Sequence, residues 1–283
     1  MSLSDFIYQL AQESGSAPVL PPVDYIIVAG QSNMDGRVAT SEFPAEYQGP
    51  HANVLVWNGA GLSQWLPVTS VGAPSVAWDS LVLPDIADSM GVMLRVVKHT
   101  FGGTSIGKVA GADYDLGKDG SWNVAVTGSH WHYLREKIRS IIRYEREANN
   151  KVPRFRMLLW DQGEGDGSNL GWSQNYATYT NNVLAGNFVD LISAMRTEAF
   201  NQTLPVVFAQ KMTTQADAYR ANVIAAQALF DANDANAYML AMNANTARYP
   251  LADAWHYNAT AVTNVAQDMK AIVTSNNLLT GWV

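Results

Sequence analysis

Short apolar runs recur along the chain, and each stops abruptly at glycine or polar residues. They fall at residues 25–29, 54–57, 92–100, 155–160, 205–209 and 238–242. Between them, apolar residues return at helical spacing. Trp131, Leu134, Ile138, Ile141 and Ile142 fit one helix, and Tyr176, Tyr179, Val183, Leu184, Leu191, Ile192 and Met195 predict a second, long one. Residues 216–232 and 260–274 read as two more. Continuous apolar strands alternating with helices require a parallel sheet covered on both faces. Right-handed crossovers then bring every strand's C-terminal end to one edge, where open α/β folds bind ligands. A residue just after a strand is therefore a site candidate, and residues elsewhere are not.

That test selects Gly30-Gln31-Ser32-Asn33, then Phe101-Gly102-Gly103-Thr104-Ser105, then Asp161-Gln162-Gly163-Glu164-Gly165-Asp166, and last Asp253-Ala254-Trp255-His256. Acyl transfer is the chemistry that needs this set. A serine hydroxyl is a weak nucleophile until a base takes its proton. Ser32 is the candidate nucleophile and His256 the base. A carboxylate must fix the imidazole tautomer. Asp253, three residues before His256, is the first choice, and Glu164 on the same rim is the alternative. The developing oxyanion needs donors. The backbone N–H groups of Ser32 and Gly103 qualify, with Gly102 as the other glycine of that turn and the Gln162 side-chain amide as a third donor. Activity should fall as acid protonates the histidine base.

Composition narrows the rivals. The chain has 283 residues, 48% hydrophobic, a net charge of −7 and no cysteine. One large core fits that length. The acidic balance argues against nucleic-acid binding, which needs basic patches. Without cysteine there is no disulfide, thiolate metal site or cysteine nucleophile. No apolar run reaches the roughly 18 residues of a membrane span. No signal-peptide pattern opens the chain, and its compartment stays open. Residues 1–22 read as a short amphipathic helix with a Pro-rich linker, suited to tethering the domain at 23–283 to a larger assembly. Nine Trp and twelve Tyr offer sugar-stacking walls, with Trp57, Trp65, Trp122 and Trp172 as examples, although a core role is the commoner one.

Other residues are read as structural. His130 and His132 have a spacing that can bind metal but lack a third ligand, and His51 and His99 have no neighbouring partner in sequence. Residues 113–120 resemble a calcium loop only faintly, because Gly117 occupies a ligand position and no Glu closes the loop. Asn201 and Asn258 open glycosylation sequons of the kind that occur by chance. No metal or cofactor is expected.

The segments "GQSNMDGR", "FGGTSIGK", "WDQGEGDG" and "DAWH" resemble, in order and spacing, the four blocks of the SGNH hydrolases. They look most like the branch of sialic-acid-specific acetylesterases and related carbohydrate acetylesterases. The resemblance runs from about Tyr25 to the last helix. It implies a flavodoxin-like three-layer α/β/α sandwich with a mainly parallel sheet. It implies Ser32 as nucleophile, His256 as base, Asp253 as its orienting acid, and oxyanion donors from Ser32, a block-two glycine and a block-three side chain. It also implies an O-acetylated carbohydrate as substrate. The wider superfamily places an asparagine donor in block three where this chain has Gly165, which leaves Gln162 as the candidate. The rivals are a short-chain esterase of non-sugar substrates and a catalytically silent carbohydrate-binding module.

Overall fold

The computed structural model describes residues 20–65, 75–108, 120–242 and 245–283. The expected N-terminal helix and most of the calcium-like loop lie outside those residues. Seven strands form the main sheet: β1 (Pro22–Gly30), β2 (His51–Trp57), β3 (Leu62–Trp65), β4 (Leu94–Thr100), β5 (Val152–Asp161), β6 (Val206–Ala209) and β7 (Ala237–Leu240). Their order is β7-β6-β5-β1-β4-β2-β3. Every pairing is parallel except β2 with β3, which form an antiparallel edge.

Burial explains the uninterrupted apolar strands. Along β1, Ile26 and Val28 pack on one face with Leu83 and Ile86 of α2 (Asp79–Met90) and Val265 and Met269 of α8 (Ala259–Ser275). Tyr25, Ile27 and Ala29 pack on the other face with three helices. These are α3 (His130–Ala148), α6 (Asn187–Glu198) and α7 (Arg220–Asn233). This is the three-layer α/β/α sandwich that the resemblance implies. Three short helical turns, α1 (Ser32–Asp35), α4 (Glu164–Gly167) and α5 (Leu170–Gln174), sit beyond the strand ends.

The structure departs from the sequence reading most at the expected second helix and at α2. The long helix expected from Tyr176 is interrupted by a hairpin, Thr178–Thr180 paired with Val183–Ala185, and α6 begins only at Asn187. Asn181 and Asn182 both adopt positive φ, 52° and 63°. A two-residue loop with positive φ at both positions is a hairpin turn, and asparagine tolerates it better than most residues. The helix α2 was not anticipated. Most of its residues from Asp79 to Ala87 are buried and Pro84 lies inside it, so one-sided periodicity is blurred.

The register builds the functional edge. Gly30 at the end of β1 pairs with Thr100 of β4 on one side and Asp161 of β5 on the other. The segments after those three strands therefore leave the sheet side by side.

Candidate active site

The turn after β1 starts from a close approach. Gly30 has φ +145°, and a Cβ there would lie 2.2 Å from the Asp161 carbonyl oxygen. Only glycine lets β1 press against the end of β5 and still turn. The Gln31 N–H then donates to that same carbonyl at 2.9 Å, and Ser32 opens α1. As the first residue of a helical turn, Ser32 has an N–H without an intrahelical acceptor.

The structure brings Ser32, Asp253 and His256 together. Ser32 Oγ lies 3.1 Å from His256 Nε2, and His256 Nδ1 lies 2.7 Å from Asp253 Oδ2. An ionised carboxylate only accepts hydrogen bonds, so Nδ1 carries the proton and the Nε2 lone pair faces the hydroxyl. Burial pushes the Asp253 carboxyl up. The His256 ring and the backbone N–H groups of Trp255 and His256 outweigh it, and the carboxyl ends below its ordinary value.

Glu164 is placed differently. Its Oε1 accepts from Asn33 Nδ2 at 2.7 Å and from Gln215 Nε2 at 2.9 Å. Both amides also donate to the Trp255 carbonyl, at 3.2 and 2.6 Å. Glu164 thus anchors the chain that carries the histidine, while Asp253 holds the ring nitrogen. Asn33 closes the clamp by accepting the Tyr257 N–H at 3.2 Å. Below it, burial and then the charge of Glu164 push the Asp161 carboxyl well above the usual carboxylate range.

The block-two turn lies beside Ser32. A Cβ on Gly102 would be 3.6 Å from Ser32 Cβ, and Gly103 has φ +75° in the left-handed region that favours glycine. Asp166 fixes the strand of chain that follows, accepting the N–H groups of Ile106 and Gly107 at 2.8 and 2.7 Å. Its burial raises its carboxyl to about 6, against the opposing pull of those N–H groups.

Gln162 departs from its expected role. Its amide donates to the Thr104 carbonyl at 3.2 Å and to Asp166 at 2.5 Å. Both protons are therefore committed below the site, and none remains for an oxyanion. At Gly165 a Cβ would lie 2.2 Å from the Thr104 carbonyl oxygen, so no asparagine side chain fits at that position. Arg37, which had no role in the sequence reading, stands where a cation can act. A Cβ on Gly102 would meet Arg37 Nη2 at 2.1 Å. Nη1 is held by Asp35 at 3.1 Å and by the Gly36 carbonyl at 2.9 Å. Gln215 and Arg37 were missed and gave only polar identity as a signal, and Asn33 passed the positional test without an assigned role.

The aromatic expectations divide. Trp57, Trp65 and Trp122 are core residues, and Trp172 is half-buried, its Cβ close against Gly107. His99 does have a partner, with its Nε2 3.0 Å from His130 Nδ1. His132 instead meets Ser129 Oγ at 3.0 Å. Among the described residues, no group of three or more His, Cys, Asp or Glu could hold a metal, and no helix is long and apolar enough to cross a membrane.

Comparison with known proteins places this geometry. The fold is similar to that of a protein from Arabidopsis thaliana, with TM-score 0.65, 16% identity, and coverage of 93% of this chain and 100% of that one. It is similar to NanS, with TM-score 0.61, 12% identity, and coverage of 92% and 99%. It is also similar to a structure described as a novel carbohydrate acetylesterase from Xanthomonas citri, with TM-score 0.57 and 16% identity. That match covers 88% of this chain but only 55% of the Xanthomonas one. Compared with curated protein sequences, the chain has no match. Residues 82–275, more than half of the chain, match the family described as carbohydrate esterase, sialic acid-specific acetylesterase, and the chain belongs to that family of carboxylic ester hydrolases.

Proposed function

We propose that the protein is a serine esterase that removes O-acetyl groups from a carbohydrate, sialic acid or another acetylated sugar, through an acetyl-enzyme on Ser32. The observation that carries this reading is the continuous relay from Asp253 Oδ2 through the His256 ring to Ser32 Oγ, with both contacts within hydrogen-bond reach.

In the first half-reaction Ser32 Oγ bonds to the acetyl carbon while its proton passes to His256 Nε2. The carbonyl oxygen becomes an oxyanion. The N–H groups of Ser32 and Gly103 stabilise it, and the Arg37 guanidinium adds positive charge beside Gly102. Collapse breaks the bond to the sugar oxygen, which leaves with the proton from Nε2. In the second half-reaction water gives a proton to His256 and bonds to the acetyl carbon. The Ser32 C–O bond then breaks, acetate leaves, and the proton returns to Oγ. Asp253 stays ionised throughout and supports the imidazolium.

The test is acetate release from O-acetylated sialic acid and from acetylated xylan by wild type, Ser32→Ala and His256→Ala. The reading expects release by wild type alone. Equal release by Ser32→Ala, or none by folded wild type on any acetylated sugar, contradicts it.

A further inference from the structure

Seven of the nine tryptophans are buried; Trp172 is half-buried, and Trp255 is 45% exposed. A singly exposed apolar side chain needs no explanation by itself. The way Trp255 is held does. Its N–H donates to Asp253 Oδ1 at 2.7 Å, and its carbonyl accepts from Asn33 and Gln215. Its indole Nε1 donates to Asp217 Oδ1 at 3.1 Å, and Asp217 is paired with the buried Lys211 at 2.5 Å. Every polar atom of this residue is satisfied and the ring is pinned, yet much of its surface is left to solvent. Fixing a side chain with large rotamer freedom costs entropy. A pinned ring would lower the cost of ordering on binding.

Its position follows from the chemistry. The proton that releases the sugar comes from His256 Nε2, so the sugar must leave from the histidine's side of Ser32. The oxyanion forms towards the N–H groups of Ser32 and Gly103, beside the Gly102 turn. Trp255 is the chain neighbour of His256, and its indole Nε1 is held by Asp217. The exposed ring therefore lies on the leaving-group side.

We infer that Trp255 is the platform of a leaving-group subsite, on which the C–H face of a pyranose acetylated on a ring hydroxyl stacks. The inference rests on the esterase reading for its orientation. An indole offers a broad apolar face with its polar edge already engaged, and a pyranose presents axial C–H groups between hydroxyls. The Asp217 tether keeps the indole in one orientation, so contact area is gained without a fresh ordering cost. A small alkyl alcohol has no face to offer, and the subsite should not help it.

The test compares wild type, Trp255→Phe and Trp255→Ala on two acetates, a methyl xylopyranoside acetylated on one ring hydroxyl and ethyl acetate. For the sugar ester, Trp255→Ala should raise KM about tenfold with kcat little changed, and Trp255→Phe, which keeps an aromatic face but loses the Asp217 tether, should recover only part of the loss. For ethyl acetate both variants should stay within about twofold of wild type. Equal losses on both esters mean that the indole only braces His256, and they overturn the inference. Equilibrium binding of the same sugar ester to Ser32→Ala, with and without Trp255→Ala, gives a readout that needs no turnover. Weaker binding in the double variant supports the platform, and unchanged binding overturns it. Trp255-dependent binding, with no acetate release by wild type from this or any other acetylated sugar, would sink the esterase reading and leave Trp255 standing as a sugar platform.

Discussion

Asp253 holds His256 with both of its oxygens. Oδ2 lies 2.7 Å from the ring Nδ1, and Oδ1 accepts the backbone N–H of His256 at 2.8 Å and that of Trp255 at 2.7 Å. One carboxylate thus sets the tautomer of the imidazole and the shape of the loop that carries it. The same backbone donors contribute to the low-lying Asp253 carboxyl.

Asp253→Asn should therefore lower kcat by about 10⁴-fold, because the amide favours the wrong tautomer. Glu164→Gln should cost far less, since its partners lie on the support side of the loop. Steady-state kinetics on both variants checks this. The reverse ranking would make Glu164 the orienting acid.

Asn33 ties the turn of Ser32 to the loop of His256 through Glu164, the Trp255 carbonyl and the Tyr257 N–H. Asn33→Ala leaves these buried groups short of a partner, at a cost of about 2 kcal/mol in unfolding free energy. Activity should fall by about 10²-fold through loss of alignment. Denaturant titration and kcat on the same preparation measure both. Unchanged kcat in a destabilised protein would make the clamp purely structural.

Gly165 has no room for a side chain, because the nearest neighbour of a Cβ is backbone, the Thr104 carbonyl at 2.2 Å. Gly165→Ala should destabilise the fold by about 3 kcal/mol or more and shift the block-two turn that carries Gly103. A melting curve tests it. A wild-type melting temperature would refute the close approach.

The pair of half-buried His99 and buried His130 supplies a pH dependence of stability. Burial lowers the His99 ring to about 2, with Lys137 and His130 adding to the effect, and burial lowers the His130 ring to about 4. In the unfolded chain both protonate near 6.5. Between those values the unfolded chain binds more protons, so stability present above 6.5 is lost as pH falls, by about 1.4 kcal/mol per pH unit for each ring. His130→Gln should remove that slope for one ring between pH 6.5 and 4. Parallel stability curves for wild type and variant would contradict it.

Much of this arrangement is written in local pattern. The apolar strands, the glycine that ends β1 and the four rim segments all follow from burial on two faces and from parallel register, which short windows report. What escaped depends on distant partners. Gln162 looks like a free amide until Asp166 and Thr104 claim its protons. Arg37 has no visible task until the chain folds it over Gly102. The hairpin at Asn181-Asn182 was masked by apolar residues that happen to fit a helical period, and α2 by burial nearly all round. Trp255 falls in the fourth rim segment without a role of its own until its exposure is seen.

The most direct measurement is the intact mass of wild type and Ser32→Ala after exposure to a fluorophosphonate. A single adduct on wild type, placed on Ser32 by peptide mapping, and none on the variant is the predicted result. Folded wild type that takes no adduct, or an adduct that persists in Ser32→Ala, would contradict an activated Ser32 and with it the acetyl-enzyme mechanism.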